Sequence, residues 1–404
     1  MPGAQRWLEH AAPDAPYGQW VRAKLLLREG KLEEGAALLH QVASAFPTGP
    51  DWEVEARDSY GYYSGSMVAV RDLVREDLGY VLLEKGDYAG SLDAFLESGD
   101  WADAACVAER VLTADELETF VQAHAQDPAL AGVDVNAFYL QNPMPAPVRL
   151  RDLLARRLAR LGDWDKAIPY YPETIDFGYP RRESFSPPDV AREFAGHLAG
   201  AQDTAQPVRT RAEHLFEAGR ILRQCGMELT GTELSPDWAL WGGDYGSEWF
   251  KNFNTLGEKP EFGPEFASRF QASAVTPPHR FHYRYQAADL MWQCADMLPN
   301  NDILAAHALY LGGLYLEKRD RKSADKFYKA LVRRNPNLLI AQQADKLRWF
   351  PKEFTDVVVY QPLPKPWYGS RRKLAVGCLV AAVAVAVAAK VLWRRRRIPN
   401  SSES

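Results

Sequence analysis

The sequence has few cysteines and no excess of positive charge, and each shortage excludes a class of protein. Its four cysteines are widely scattered, so neither a disulfide framework nor a cysteine metal site is indicated. The formal net charge is −5, which removes the electrostatic case for binding nucleic acid. The motifs GxSxG, HExxH, GxxxxGK[ST] and GxGxxG are absent from the sequence. We therefore expect no catalytic activity, no metal and no cofactor.

Apolar residues are plentiful. They make up 47% of the 404 residues, and aromatic residues make up 12%, which is ample for a folded core and excludes wholesale disorder. The length fits two or three domains or one long repeat array.

One apolar run near the C-terminus is long enough to cross a membrane. Residues 374–393 contain a single charge, Lys390, close to one end, where it can reach the lipid headgroups. Basic side chains precede and follow the run: Arg371, Arg372, Lys373, Arg394, Arg395, Arg396 and Arg397. We predict a single-pass transmembrane helix over 371–393, preceded by an extended Pro-rich spacer (354–370) and followed by a short basic and polar tail (394–404).

The orientation of this anchor stays open at the sequence level. The first residues contain no apolar segment of the kind found in a signal peptide. The large domain is therefore cytoplasmic if Met1 is the true start, and exported if the true start lies upstream and carries a signal.

The remaining chain is helical and repetitive. Residues 17–47 and 303–336 align, with Ala23 matching Gly312, Gly35 matching Ala324, and proline ending both segments. Small residues at these positions let two helices approach closely. The pattern resembles the tetratricopeptide-repeat family, in which each repeat of about 34 residues forms two antiparallel helices. The resemblance implies an all-α, irregular TPR-like α-solenoid over 1–353 that binds other proteins along a groove.

Short motifs that end one helix and begin the next support this prediction. Glycine, aspartate and an aromatic residue follow one another at 86–88, 99–101 and 162–164. Such a triplet predicts a helix end, the N-cap of the next helix, and a ring packed into the turn. Thr113 and Glu116 have the spacing of a capping box, and Gly61–Gly65 is interpreted as a turn between repeats.

A long aromatic-rich insertion, residues 227–278, interrupts the repeats. It combines indole and phenol rings with carboxylates, a mixture that suits a peptide or glycan surface. The candidate binding residues are Trp238, Trp241, Tyr245, Trp249, Asp237 and Glu248. The alternative is that the insertion folds back and its rings fill the solenoid groove. His279 and His282 follow it at a helix start, and we interpret them as part of a polar face packed on the insertion and not as a metal site.

We predict a membrane-anchored, non-enzymatic protein–protein interaction scaffold or adaptor, with the lipid bilayer and an unidentified protein as partners. One alternative is a cell-envelope protein that binds or processes glycans through the insertion. A second is an organelle-membrane adaptor, because the layout of helical repeats, apolar tail and basic C-terminus is similar in outline to mitochondrial fission adaptors.

Overall fold

The computed structural model describes residues 2–57, 63–126, 134–136, 145–176, 184–239 and 263–352. All of them belong to one compact unit, formed by 1–178 and 182–357. The described residues are predominantly helical, which confirms the predicted helical class. Two small sheets are added to the helices, and neither was predicted from the sequence.

The helices of the first half are short and follow one another closely. They are α1 (Pro2–His10), α2 (Pro16–Arg28), α3 (Leu32–Ala45), α4 (Val70–Glu84), α5 (Tyr88–Ser98), α6 (Trp101–Cys106, continued by a π-helical turn Val107–Val111) and α7 (Ala114–His124).

The remaining helices range from 4 to 23 residues in length. They are α8 (Ala146–Arg160), α9 (Trp164–Ala167), α10 (Pro187–Gln202), α11 (Val208–Thr230), α12 (Gly263–Ala272), α13 (His282–Asp296), α14 (Ile303–Leu316), α15 (Arg321–Arg334) and α16 (Leu339–Leu347).

The first sheet is an antiparallel hairpin of β1 (Glu53–Arg57) and β2 (Tyr63–Ala69). The predicted turn at Gly61–Gly65 is therefore wrong from Tyr63 onward. Those residues extend into a strand because β1 lies alongside and supplies backbone hydrogen-bond partners. The second sheet has β4 (Thr174–Asp176) in the centre, parallel to β3 (Asp134–Asn136) and antiparallel to β5 (Ser184–Phe185).

The glycine–aspartate–aromatic triplets are confirmed as helix junctions. Gly86, Gly99 and Gly162 have φ angles of +77°, +81° and +83°, a left-handed conformation that only glycine adopts without cost. The aspartates that follow accept a hydrogen bond from the backbone amide three residues on, at 3.0, 3.1 and 3.3 Å. The capping box is also confirmed, since Glu116 N donates to Thr113 Oγ1 at 3.1 Å and Thr113 N donates to Glu116 Oε2 at 2.8 Å.

Small residues let consecutive helices approach closely in the pairs α2–α3, α4–α5 and α14–α15. Ala23 and Ala324 are completely buried. A Cβ atom added to Gly79 would lie 2.6 Å from the ring of Phe95, and one added to Gly312 would lie 2.5 Å from the ring of Phe327. The bulk of the facing ring therefore requires glycine at these two positions.

The predicted insertion is helical at its start and again near its end. Its first residues continue helix α11 as far as Thr230, where Met227 and Leu229 are both buried although they point to different sides of the helix. Near its end, Phe266 and Phe270 bury one face of α12. Residues 240–262 lie outside the described part of the chain.

The C-terminal predictions fall on residues that the structure does not describe. The spacer (354–370), the predicted span (371–393) with its basic flanks, and the tail (394–404) all lie there. Among the described residues, no helix combines the length and the apolarity that crossing a bilayer requires.

The close contacts at Gly79 and Gly312 predict that one added methyl group destabilises the protein. We expect Gly79→Ala and Gly312→Ala each to cost about 1–3 kcal/mol, because the facing rings are held in a packed core. Gly196→Ala in α10 is the control, since nothing lies within 4 Å of the added Cβ. That change should be neutral or stabilise by up to about 1 kcal/mol through helix propensity. Thermal unfolding of the full chain measures all three, and equal effects would contradict the packing described.

Candidate functional site

The structure places two of the six candidate binding residues, and both are buried. Asp237 is 0% exposed and Trp238 is 2% exposed, so neither offers a face to a ligand on the outer surface. The burial of Trp238 agrees with the alternative hypothesis, in which the rings of the insertion pack inward. Trp241, Tyr245, Trp249 and Glu248 lie outside the described residues.

Asp237 joins the start of the insertion to the start of helix α13. Its carboxylate accepts hydrogen bonds from Thr232 N at 3.1 Å and from Phe281 N, and its Oδ2 lies 2.8 Å from Nδ1 of His282. Because the carboxylate only accepts, Nδ1 of His282 carries the proton. His282 is completely buried against the insertion, whereas His279 is exposed, so only part of the predicted face packs there.

Two residues at this junction have a backbone conformation that side chains rarely adopt. Trp238 and Phe281 have φ angles of +59° and +58°. Such conformations cost free energy and persist where the surroundings fix them, as the bonds to Asp237 do here.

Helix α8 brings arginine into the interior. Arg151, Arg156 and Arg157 are 7%, 4% and 8% exposed, although charged side chains are rarely buried unless they are paired. Arg151 donates to two backbone carbonyls, Ala125 O at 3.2 Å and Pro169 O at 2.8 Å. The helix therefore satisfies its buried guanidinium groups partly with backbone oxygens.

Glu233, just after α11, is the main carboxylate partner of α8. Arg156 Nη2 lies 2.7 Å from Glu233 Oε2, and Arg149 Nη2 lies 3.2 Å from Oε1. The indole of Trp101 donates to the same Oε1 at 2.6 Å, and the Arg149 guanidinium stacks over that indole at 4.1 Å. These cations hold the pKa of Glu233 below its usual value, although burial opposes the shift.

A second buried carboxylate, Glu109, fixes the same segment from the other side. It is 1% exposed, pairs with Arg160, and accepts a hydrogen bond from the backbone amide of Glu233. Arg160 also donates to Thr230 O and Gly231 O, each at 3.1 Å. The turn that follows α11 carries Glu233, and it is thereby held by Glu109 on one side and by the arginines of α8 on the other.

A cavity of about 440 Å³ lies beside this network. Its walls come from the start of α7, the end of α8, the end of α12 with the residues that follow, and the start of α13. Polar lining residues are Thr113, Arg157, Arg160, Arg269, Ser273, Thr276, His282 and Gln286. Apolar lining residues are Val111, Leu112, Ala114, Leu161, Ala272, Ala274 and Val275.

The cavity brings a histidine and hydroxyl groups together, which raises the question of catalysis. Nε2 of His282 is buried and has no hydrogen-bond partner, so no hydroxyl lies within bonding distance of it. Ser273 Oγ instead donates to Arg110 O at 2.8 Å. The contact between nucleophile and base that acyl transfer requires is therefore not formed among these described residues.

A separate group of three carboxylates has the composition of a cation site. Ligand oxygens of Glu76, Asp100 and Asp103 all lie within 4.8 Å of one another. Burial and the neighbouring negative charges raise the pKa of Glu76 to about 7 and that of Asp103 to about 6. Tyr80 donates a hydrogen bond to Asp103, which offsets part of the repulsion. Within the described ranges this is the one group that could supply three carboxylate or imidazole ligands.

The sequence analysis missed the arginines of α8 and the cavity next to them. A signal was present, because residues 149–160 place five arginines among leucines and alanines. A helix this rich in apolar residues must bury several faces, and some of its arginines are buried with them. Asp152 pairs with Arg156 from one turn earlier in the same helix. Glu109 and Glu233, the other carboxylate partners, are distant in sequence, so spacing could not identify them.

Comparison with known proteins leaves the family of the chain undetermined. No protein-family model matches the sequence, and neither the curated proteins nor the solved structures provide a significant match.

The Glu233 network predicts a large effect of removing one charge. Glu233→Gln leaves Arg149 and Arg156 without their shared carboxylate, and we expect a loss of about 3–5 kcal/mol in the free energy of unfolding. Asp189→Asn is the control, because its ion pair with Arg192 is exposed and should contribute at most about 1 kcal/mol. Urea unfolding of the full chain measures both, and similar effects would show that the buried network contributes little.

Proposed function

We propose that this protein is a membrane-anchored, non-enzymatic scaffold that binds another protein through its TPR-like helical repeats. The observation that carries the proposal is the series of packed helix pairs α2–α3, α4–α5 and α14–α15, each joined by a short turn. Arrays of this kind present extended surfaces to other proteins. The anchor comes from the sequence of residues 371–393 and its basic flanks.

Contacts between the pairs α2–α3 and α4–α5 support the proposal, because the first helix of one pair packs on the first helix of the other. Helix α2 contacts α4 through Trp20 Nε1, which donates to Asp77 at 2.7 Å, and through Lys24, whose Nζ lies 2.8 Å from the same carboxylate. Tyr17 on α2 and Tyr80 on α4 remain 38% and 43% exposed. Exposed aromatic side chains on rigid helices are typical anchors for a protein partner.

The glycan alternative draws no support from the described part of the insertion. Asp237 and Trp238 are committed to internal contacts. That alternative therefore depends on Trp241, Tyr245, Trp249 and Glu248 alone.

The anchor is tested by fractionation. We expect the full chain to remain with membranes until detergent is added, and a chain ending at Ser370 to be soluble. Replacing both Val383 and Val385 with Asp should release the full chain, because each charge near the centre of a span costs about 2.5–3.5 kcal/mol. The same two positions changed to Ile provide the control. Full-length wild-type chain in the soluble fraction would contradict the anchor.

Partner binding is tested by affinity purification of the detergent-solubilised full chain with mass spectrometry. We expect Tyr17→Ala combined with Tyr80→Ala to remove specifically captured proteins from chains whose far-ultraviolet circular dichroism shows intact helices. The melting temperature should fall, because Tyr80 also donates to Asp103 and Tyr17 also stacks on Trp52. Leu347→Ala is the control, since this side chain is 58% exposed at the end of the last described helix. An identical set of captured proteins from all three chains would contradict the assignment of this surface.

A further inference from the structure

The end of the described array concentrates positive charge in a chain that is acidic as a whole. Residues 317–352 contain eleven lysines and arginines but only four carboxylates, whereas the complete chain has a formal net charge of −5. An excess of one sign on a folded surface attracts partners of the opposite sign. This end of the array is therefore a candidate surface for an anionic partner.

Helix α15 arranges four of these charges along one side, which we call its basic face. The four side chains are exposed and follow one another at spacings of four, three and four residues: Lys322, Lys326, Lys329 and Arg333. The opposite side of the helix is buried through Ala324, Phe327 and Leu331. Packing on that side fixes the helix with its basic face toward the solvent.

Most of the charge on the basic face is not neutralised by the described residues. Lys329 pairs with Asp325 at 2.5 Å, and its side chain is still 63% exposed. Lys322, Lys326 and Arg333 form no ion pair with any described residue. These cations are held only by water, so they can bind an anionic surface without first losing a partner.

The chain leaves the described part beside this helix. The guanidinium of Arg321 lies 4.7 Å from the ring of Trp349, and the ring of Tyr328 lies 5.7 Å from it. Arg321 and Tyr328 belong to α15, and the described residues end at Lys352. Eighteen residues separate Lys352 from Arg371, where the basic flank of the predicted span begins. An inserted anchor therefore holds α15 within about 65 Å of the bilayer.

We propose that the basic face of α15 binds the anionic lipid headgroups of the membrane in which the anchor is inserted. Each lysine or arginine near an anionic surface strengthens association by about fivefold. The tether adds to this by keeping the local concentration of the surface high. The inference rests on the proposed anchor, and it assigns the surface of the folded domain that faces the bilayer and the class of lipid that this surface needs.

The test places the full chain in vesicles of phosphatidylcholine alone and of phosphatidylcholine mixed with phosphatidylserine. Flotation shows whether the chain is inserted, and a neutral acetylating reagent then modifies the lysines while mass spectrometry follows each position. We expect acetylation of Lys322, Lys326 and Lys329 to be slower by about threefold or more with phosphatidylserine, because the bilayer covers them. High salt should remove the difference. Lys31, whose side chain is 49% exposed, is the internal control and should react equally in both lipids.

The outcomes separate this inference from the anchor itself. A chain that floats with neither kind of vesicle lacks the anchor, and the inference is refuted with it. A chain that floats but is acetylated equally in both lipids keeps the anchor and overturns the inference. Protection that is equal in both lipids and increases with the number of chains per vesicle would assign the face to a second copy, which also overturns the inference.

Variants locate the effect on the basic face. Lys322→Gln, Lys326→Gln and Arg333→Gln together should abolish the lipid-dependent protection of Lys329, because one cation of the four remains. The matched control removes three exposed cations from other parts of the chain: Lys31→Gln, Lys166→Gln and Arg192→Gln. Protection of Lys329 should persist in this control, and circular dichroism checks that both chains are folded. Equal loss of protection in the two chains would show an effect of net charge alone and refute the assignment.

Discussion

The burial of the arginines on helix α8 is the constraint on which the centre of the molecule depends. A guanidinium group leaves water only when carboxylates and carbonyls replace its hydration. Asp152 on the same helix provides one carboxylate, and Glu109 and Glu233 provide two more from segments distant in sequence. The pairing fixes the turn after α11, which in turn places Asp237 against His282 at the start of α13. One electrostatic requirement thus determines how helices from both halves of the chain meet.

The features that the sequence predicted correctly are local. A glycine with positive φ and the aspartate that caps the next helix interact within a few residues, so spacing alone identifies them. The capping box of Thr113 and Glu116 is local in the same sense. The overall helical class follows from these helix-ending and capping motifs, combined with the small residues at the helix contacts.

The features that the sequence did not predict depend on distant partners. Strand β2 forms because β1 lies beside it, although the glycines before it suggested a turn. Asp237 stands among aromatic residues, a composition that is as compatible with a ligand surface as with a buried junction. Its role became apparent only when His282 and Phe281 were seen to share its carboxylate. The cavity could not be predicted at all, because four separate elements form its walls.

The same non-local construction places the cavity between separate parts of the fold. Its walls belong to α7, α8, α12 and α13, which connect the early helix pairs to the later ones. A ligand that binds only the folded arrangement stabilises it by mass action, in proportion to how far its concentration exceeds its dissociation constant. Occupancy of this cavity by a ligand would therefore stabilise the contacts among those four helices.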